Sequence, residues 1–333
     1  MKYWKVLNDM TAAKVWNNHL KLLRDYTYFQ LYEWGEHRRS FGWTPFRCIA
    51  YNDDKEILGM VQVLYRRYKF GVGAMWSSGG PVGDISCWDQ NLRELLLEIS
   101  RSKGLYIRFF SNRKMTKQNK DFLISKGWKP CDYKLRSGLS MRLNLNRNLE
   151  EIHKGLSRNW RRNLKRSTKS KLTIRQWFNP DIDEIKAVYK SMESYKGLPE
   201  QSSQQELKSL FQKLGNKIVL YRCFDKKGQV VALRGCAILH RFGWDLFAAT
   251  TTLGRKLYAS YALVWELLQH CQKLGVEEYD LMGVDPTKDL GVYNFKKGTG
   301  AEFIEYLGEW DWATNNILRW GANNVVRRMR RNN

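Results

Sequence analysis

Histidine is scarce in this chain of 333 residues, and its five copies exclude a good deal. His19, His37, His153, His240 and His270 show no metal-ligand spacing and no H-E-x-x-H pattern, so no metal site is expected. There is no G-x-S-x-G elbow to raise a serine nucleophile and no Walker A loop to cradle a nucleoside triphosphate. Six scattered cysteines (Cys48, Cys87, Cys131, Cys223, Cys236, Cys271) form no C-x-x-C pair. They are expected to be reduced core thiols of a cytoplasmic protein. No run of about 18 apolar residues occurs, and residues 1–5 lack the apolar stretch of a signal peptide, so membrane contact is expected to be peripheral at most.

Acid is short as well. Against 57 Lys and Arg stand 33 Asp and Glu, a net charge of +24. That balance favours an anionic partner: a nucleic acid, a nucleotide-linked substrate or an acidic membrane face. What the chain does have is apolar content of 43%, with 14 Trp, 17 Tyr and 14 Phe, which makes it globular. Its length predicts two domains.

Two stretches match in type and order. Residues 46–51, a polar turn, and 57–64 read as a β-hairpin, and so do 218–223, the turn 225–228, and 230–239. Each leads through further strand to an amphipathic helix, 91–103 or 261–273, that ends before a glycine, Gly104 or Gly275. A β-rich segment follows each, 105–110 and 277–282. Helices also precede the hairpins, the first capped by Thr11 with Val15, Trp16, Leu20 and Leu23 on one face, the later ones over 185–195 and 207–214. This order, occurring twice, is that of a GNAT-type acyltransferase fold and predicts a duplicated α/β (α+β) protein. Each of the two tandem domains would hold a mixed, mostly antiparallel sheet flanked by helices. The expected domains are 1–148, completed by the terminal segment 308–333, and 149–307, with the junction near 145–155.

Between Lys154 and Arg175 there are nine Lys or Arg and no acidic residue. On a helix, Leu156, Trp160 and Leu164 share one narrow arc, and Arg158, Arg161, Arg162, Lys165 and Lys169 fall opposite. Five like charges on one ridge repel one another, so a phosphate partner is a better reading than a solvated face. In the tail, Leu318, Ala322, Val325 and Met329 share a face, while Arg319, Arg327, Arg328, Arg330 and Arg331 supply charge. Docking on its own domain is expected there, with contact to an acidic bilayer as the alternative.

The segment 279–300 reads as a short strand to Met282, a Gly/Asp/Pro turn, and an aromatic–Lys pair, Phe295 and Lys296, leading into a glycine-rich turn. A cation held beside a ring at a strand end can stabilise charge developing on a carbonyl oxygen. The competing reading is an exposed lysine on a loop beside a core phenylalanine. The R/Q-x-x-G-x-G/A turn that grips coenzyme A in GNAT proteins is missing from both corresponding places, 71–80 and 251–259.

Taken together, the duplicated order, the missing coenzyme loop, the basic helix and the G-V-D-P…G-V-Y-x-F-K-x-G-x-G segment resemble the Fem (FemABX) family. These are aminoacyl-tRNA-dependent transferases that build peptidoglycan cross-bridges. The resemblance covers nearly the whole chain, in the compact form without a coiled-coil arm. Gln30 and Trp34 with Arg38 downstream look like its Q-x-x-x-W pattern, Gly80 lies in its G-P-V turn, and Tyr306 to Glu309 fit its closing strand.

What the resemblance implies is an aminoacyltransferase of cell-wall synthesis. It would transfer an amino acid from aminoacyl-tRNA to an amine of a nucleotide- or lipid-linked muropeptide, or a related envelope precursor. No cofactor is expected beyond the aminoacyl-tRNA co-substrate, and the protein would act as a cytoplasmic monomer at or near the inner face of the membrane. Lys296 would face the oxyanion beside Phe295. Arg38, Trp34, Gly80 and Tyr293 would line the substrate, with Arg38 at the acceptor pyrophosphate. Arg158, Arg161, Arg162, Lys165 and Lys169 would hold tRNA. Two positions depart from the family: its second phosphate-binding arginine falls near Gln201, and an acidic residue once considered catalytic falls near Phe110, so no carboxylate base is assigned. Two rival functions remain open: a CoA-dependent N-acyltransferase acting on a nucleotide sugar or polysaccharide precursor, and a non-catalytic RNA-binding protein.

Overall fold

A computed structural model of the chain describes residues 2–200 and 202–331; Gln201 and the side chains of Arg330 and Arg331 lie outside the described residues. In chain order, β1 (Tyr3–Leu7) and helices α1 (Asp9–Leu20) and α2 (Tyr32–Arg39) lead into the hairpin β2 (Thr44–Tyr51) and β3 (Ile57–Arg67). Then come β4 (Val72–Ser78), β5 (Val82–Gly83), α3 (Gln90–Ser100), β6 (Gly104–Lys114), α4 (Lys117–Ser125) and β7 (Lys129–Pro130). The second stretch holds β8 (Leu139–Asn144), α5 (Leu149–Gly155), α6 (Arg158–Lys169), β9 (Thr173–Gln176), α7 (Ile182–Lys196) and α8 (Gln204–Leu214). It continues through β10 (Ile218–Phe224), β11 (Val230–Leu239), β12 (Phe242–Thr250), α9 (Thr252–Lys256), α10 (Ala259–Lys273), β13 (Glu278–Asp280) and α11 (Leu290–Lys297). β14 (Glu302–Ala313) and α12 (Asn316–Arg331) close the chain.

The chain divides into two compact units, Met1–Gly138 with Glu305–Asn333, and Leu139–Ile304. The first border differs from 148/149 because β8 pairs antiparallel with β13 and so belongs to the second unit, and the second differs from 307/308 because β14 already pairs with β6 at Tyr306. The first unit orders its strands β1-β2-β3-β4-β6-β14, and the second β8-β13-β12-β11-β10-β9. In both, an antiparallel hairpin adds a third antiparallel strand (β4 or β12), which then pairs in parallel with the strand that follows a helix (β6 or β13). The expected repeat is therefore present.

The two parallel pairs differ where it matters. In the first unit β4 and β6 stay in register over seven residue pairs, from Val72 and Gly104 to Ser78 and Phe110. In the second unit the pairing lasts for three, ending at Trp244 and Asp280, while β12 runs on to Thr250. Just past that point Leu246 is an extra residue on β12, since Asp245 faces Cys236 and Phe247 faces Gly235. Such a bulge bends a strand and re-aims its side chains. The split leaves an opening beside β12 in the second unit.

Several local expectations need correction. Asn8, not Thr11, caps α1, accepting from the Thr11 backbone N–H at 2.8 Å. Trp16 and Leu20 are buried on that helix as expected. Gly104 does not cap α3; Arg101 takes the left-handed conformation there (φ 49°), and Gly104 begins β6. Gly275 (φ +79°) does close α10, donating to the Gln272 carbonyl at 2.9 Å. The basic segment is two helices, because Leu156 turns extended and Ser157 caps α6 through the Trp160 N–H at 3.2 Å. Residues 290–297, read as strand-end and loop, are helix, with Asp289 accepting from the Val292 N–H at 3.0 Å.

The tail docks, but through polar groups. Asp311 on β14 accepts from Arg319 Nε at 2.7 Å and Asn323 Nδ2 at 2.9 Å, and the buried positions of α12 are Asn323 and Val326. Val325 and Met329, expected inside, are exposed. Sequence periodicity weighs apolar residues alone, so a helix anchored on a buried carboxylate misleads it.

All six cysteines are buried and free of disulfides. Among the described residues no helix is long and apolar enough to cross a membrane, and no group of three His, Cys, Asp or Glu could hold a metal ion.

Candidate active site

The opening beside β12 forms a cavity of about 450 Å³ in the second unit. Its wall includes Arg234, Asp245, Arg255, Tyr258, Phe295 and Lys296. Lys296 sits on α11 at 9% exposure and donates to the Met282 carbonyl at 3.0 Å and the Gly283 carbonyl at 2.9 Å. Those carbonyls belong to the turn after β13. Asp280 holds this turn, accepting from the Met282 N–H at 2.7 Å and from the Ser140 hydroxyl on β8. An ammonium carries three donors, so two carbonyls leave one to aim elsewhere.

Two charges that sequence reasoning missed complete the arrangement. Arg234 on β11 and Asp245 on β12 are both buried and joined by two hydrogen bonds, Nη2 to Oδ2 at 2.6 Å and Nε to Oδ1 at 3.1 Å. Tyr279 adds its hydroxyl to Asp245 Oδ1 at 3.2 Å. Burial pushes the Asp245 carboxyl above its ordinary range, and Arg234 and then Lys296 pull it back. Burial likewise lowers the Lys296 ammonium, with Asp245 opposing. The only sequence signal was a single Arg and a single Asp in adjacent, otherwise apolar strands.

Phe295 is half-buried, packed edge-on to Tyr261 with ring centroids 5.0 Å apart and tilted against Trp160 at 5.9 Å, and the Arg234 guanidinium lies 5.7 Å from its ring centre. Trp160 belongs to α6, so the basic helix and α11 pack on each other. At Gly298 a Cβ would come within 2.9 Å of the Trp160 ring. Tyr293, one turn away, is not part of the cavity wall and instead lies beside Lys297, 5.7 Å from its ring centre.

On α6, Arg158, Arg162, Lys165 and Lys169 are exposed on one face. Arg161 is half-buried and directed inward, its Nη1 donating to the Lys154 carbonyl at 2.8 Å and the Leu156 carbonyl at 2.7 Å. It closes the end of α5 and does not share the ridge. Arg166, overlooked in the sequence, donates to the Tyr258 hydroxyl at 2.9 Å, and Tyr258 lines the cavity. The place where a coenzyme loop would lie is filled by α9, whose Arg255 lines the cavity, stacks 4.0 Å from the Tyr195 ring centre and keeps a buried Nε without a partner.

The first-unit candidates form a separate group. Trp34 and Arg38 are one turn apart on α2; Trp34 packs edge-on to Phe29 at 4.9 Å and Tyr28 at 5.5 Å, and Arg38 lies 5.6 Å from the Phe41 ring centre. Gln30 is fully buried, donating to the Ser78 carbonyl at 2.7 Å and accepting from the Gln62 N–H at 2.7 Å. Gly80 packs against that amide, where a Cβ would come within 2.8 Å. Gly80→Ala is therefore expected to cost about 1–3 kcal/mol of stability, measured by denaturant unfolding. Arg136, another residue not singled out in the sequence, sits 4.5 Å from the Phe29 and 5.2 Å from the Phe110 ring centres. Burial lowers its pKa.

The two units, with a splayed parallel pair and a cationic cavity in the second, form a tandem GNAT-like scaffold. Similar solved structures share it: FemX has a TM-score of 0.79 at 16% identity, covering 96% of this chain and 99% of that one. A tandem GNAT protein from the clavulanic acid biosynthesis pathway has a TM-score of 0.56 at 10% identity, covering 95% and 99%. Residues 199–327 match the FemAB family. The aminoacyltransferase FemA of Staphylococcus aureus is 37% identical over 65 residues, 18% of this chain and 16% of that protein, so the match spans about a sixth of that relative. Over residues 199–327 the chain is thus similar to the FemAB family, and its fold is that of FemX.

Proposed function

We propose that the protein transfers an amino acid from aminoacyl-tRNA to an amine of a cell-envelope precursor of the peptidoglycan-bridge type. The observation that carries this reading is Lys296, a buried ammonium pinned by two carbonyls at the wall of the cavity. The amine nitrogen attacks the ester carbonyl, the C–N bond forms, and charge gathers on the carbonyl oxygen. The third N–H of Lys296 meets that oxygen. The C–O bond to the terminal ribose then breaks, the ribose oxygen takes the proton released by the amine, and an amide is left on the acceptor. An ester is already activated, so positioning and oxyanion stabilisation suffice, without a covalent enzyme intermediate or a cofactor.

For the donor, Arg158, Arg162, Lys165 and Lys169 contact tRNA phosphates, and Arg166 and Arg255 continue the cations to the cavity. The S. aureus relative is named an aminoacyltransferase, which agrees. In the first unit, Arg38 and Trp34 take the acceptor, with Arg136 a second cation in place of the arginine that falls near Gln201. A CoA donor is disfavoured because α9 occupies the place of a pyrophosphate-gripping turn.

Binding of tRNA should weaken by about 0.7 to 0.9 log units per log unit of salt for each phosphate contact. In filter binding, the pair Arg158→Gln and Arg162→Gln should lower the slope by about two such contacts. A flat salt response would remove tRNA from the reading of α6.

A further inference from the structure

One end of the first unit carries an exposed apolar and cationic surface that the transfer reaction does not use. The turn between β3 and β4 presents Phe70 at 92% exposure, and the first turn of α12 presents Ile317 at 83% and Trp320 at 71%. Backbone and packing contacts bring these segments together. Lys103 N–H donates to the Gly71 carbonyl at 2.8 Å, Leu105 N–H donates to the Thr314 hydroxyl at 3.2 Å, and a Cβ on Gly104 would lie 3.4 Å from Leu318. Lys69, Arg101 and Lys103 are exposed among them. The stretches 66–73, 101–107 and 312–331 contain no acidic residue.

We infer that this end docks on an anionic lipid bilayer. Large apolar side chains exposed to this degree on two neighbouring segments cost free energy in water and gain it on entering the interfacial region of a membrane. Tryptophan favours that region, where its ring meets both apolar chains and polar headgroups. The surrounding cations select an anionic leaflet, whose negative surface potential attracts each Lys or Arg brought near it. A second copy of the chain fits poorly, because it would bring the same cations face to face. A nucleic acid would use the cations and the rings but leave Ile317 without a role.

The test is co-sedimentation of the full chain with phosphatidylcholine vesicles, with and without phosphatidylglycerol. Binding is expected only with phosphatidylglycerol and should weaken with salt. Phe70→Ser combined with Trp320→Ser should reduce it about tenfold or more, with the thermal unfolding midpoint retained because both sites are exposed. Arg158→Gln with Arg162→Gln serves as a control for bulk positive charge and should leave vesicle binding within about twofold. The inference fails if anionic vesicles are not bound, if the Phe70/Trp320 pair binds them as well as the parent, or if the α6 pair abolishes binding. It also fails if the parent is a dimer that the Phe70/Trp320 pair converts to monomer, since that surface is then a contact between copies.

Discussion

Replacing Lys296 by Met should lower kcat by about 10²–10³ and leave KM nearly unchanged, in single-turnover assays with charged tRNA. Lys296 is not a surface cation that water could replace. It is buried, and Met282 and Gly283 fix its nitrogen from one side. Such a group is already oriented when charge develops, so its stabilisation appears in the transition state and not in substrate binding. Met keeps the length and apolar stem. The two carbonyls lose a donor, at about 1–3 kcal/mol, and removal of a buried charge offsets part of that. The variant should therefore remain folded, and near-normal turnover would take Lys296 out of the reaction.

Asp245→Asn should be the most destabilising change at the cavity, by about 3–5 kcal/mol in denaturant unfolding. It keeps the shape of the side chain and removes the carboxylate that neutralises Arg234, leaving Arg234 and Lys296 as two buried cations close together. The effect on pH dependence has a definite sign. In the parent, burial lowers the Lys296 pKa and Asp245 raises it back in part. Without Asp245 the pKa falls further, so the cation is lost at lower pH. The alkaline limb of the activity profile should move to lower pH in the variant. An unmoved limb would mean that Asp245 does not support the charge on Lys296.

Much of the architecture was legible because strands and amphipathic helices carry strong periodic signals. The hairpins β2–β3 and β10–β11 and the helices α3 and α10 lie close to where alternation and i, i+3, i+4 spacing put them. Residues 290–297 were misread because Gly291, Asn294 and Gly298 resemble turn chemistry, whereas the Asp289 cap, the burial of Lys296 and the packing of half-buried Phe295 make a helix. Tertiary context overrode local preference there. Lys296 and Phe295 were visible through their motif. Arg234 and Asp245 were not, because a buried ion pair across two strands has no local sequence signature and depends on a one-residue bulge. Arg161 shows the opposite error: helical periodicity put it on the ridge, and unsatisfied carbonyls at the end of α5 drew it inward.

The most direct test gives the purified protein an aminoacyl-tRNA labelled in its amino acid, separately labelled acetyl-CoA, and a panel of nucleotide- and lipid-linked muropeptides. The label from tRNA is predicted to appear in a new amide on an acceptor, in an amount that Lys296→Met reduces about 10²-fold or more. Label passing to the acceptor from acetyl-CoA alone would contradict the account.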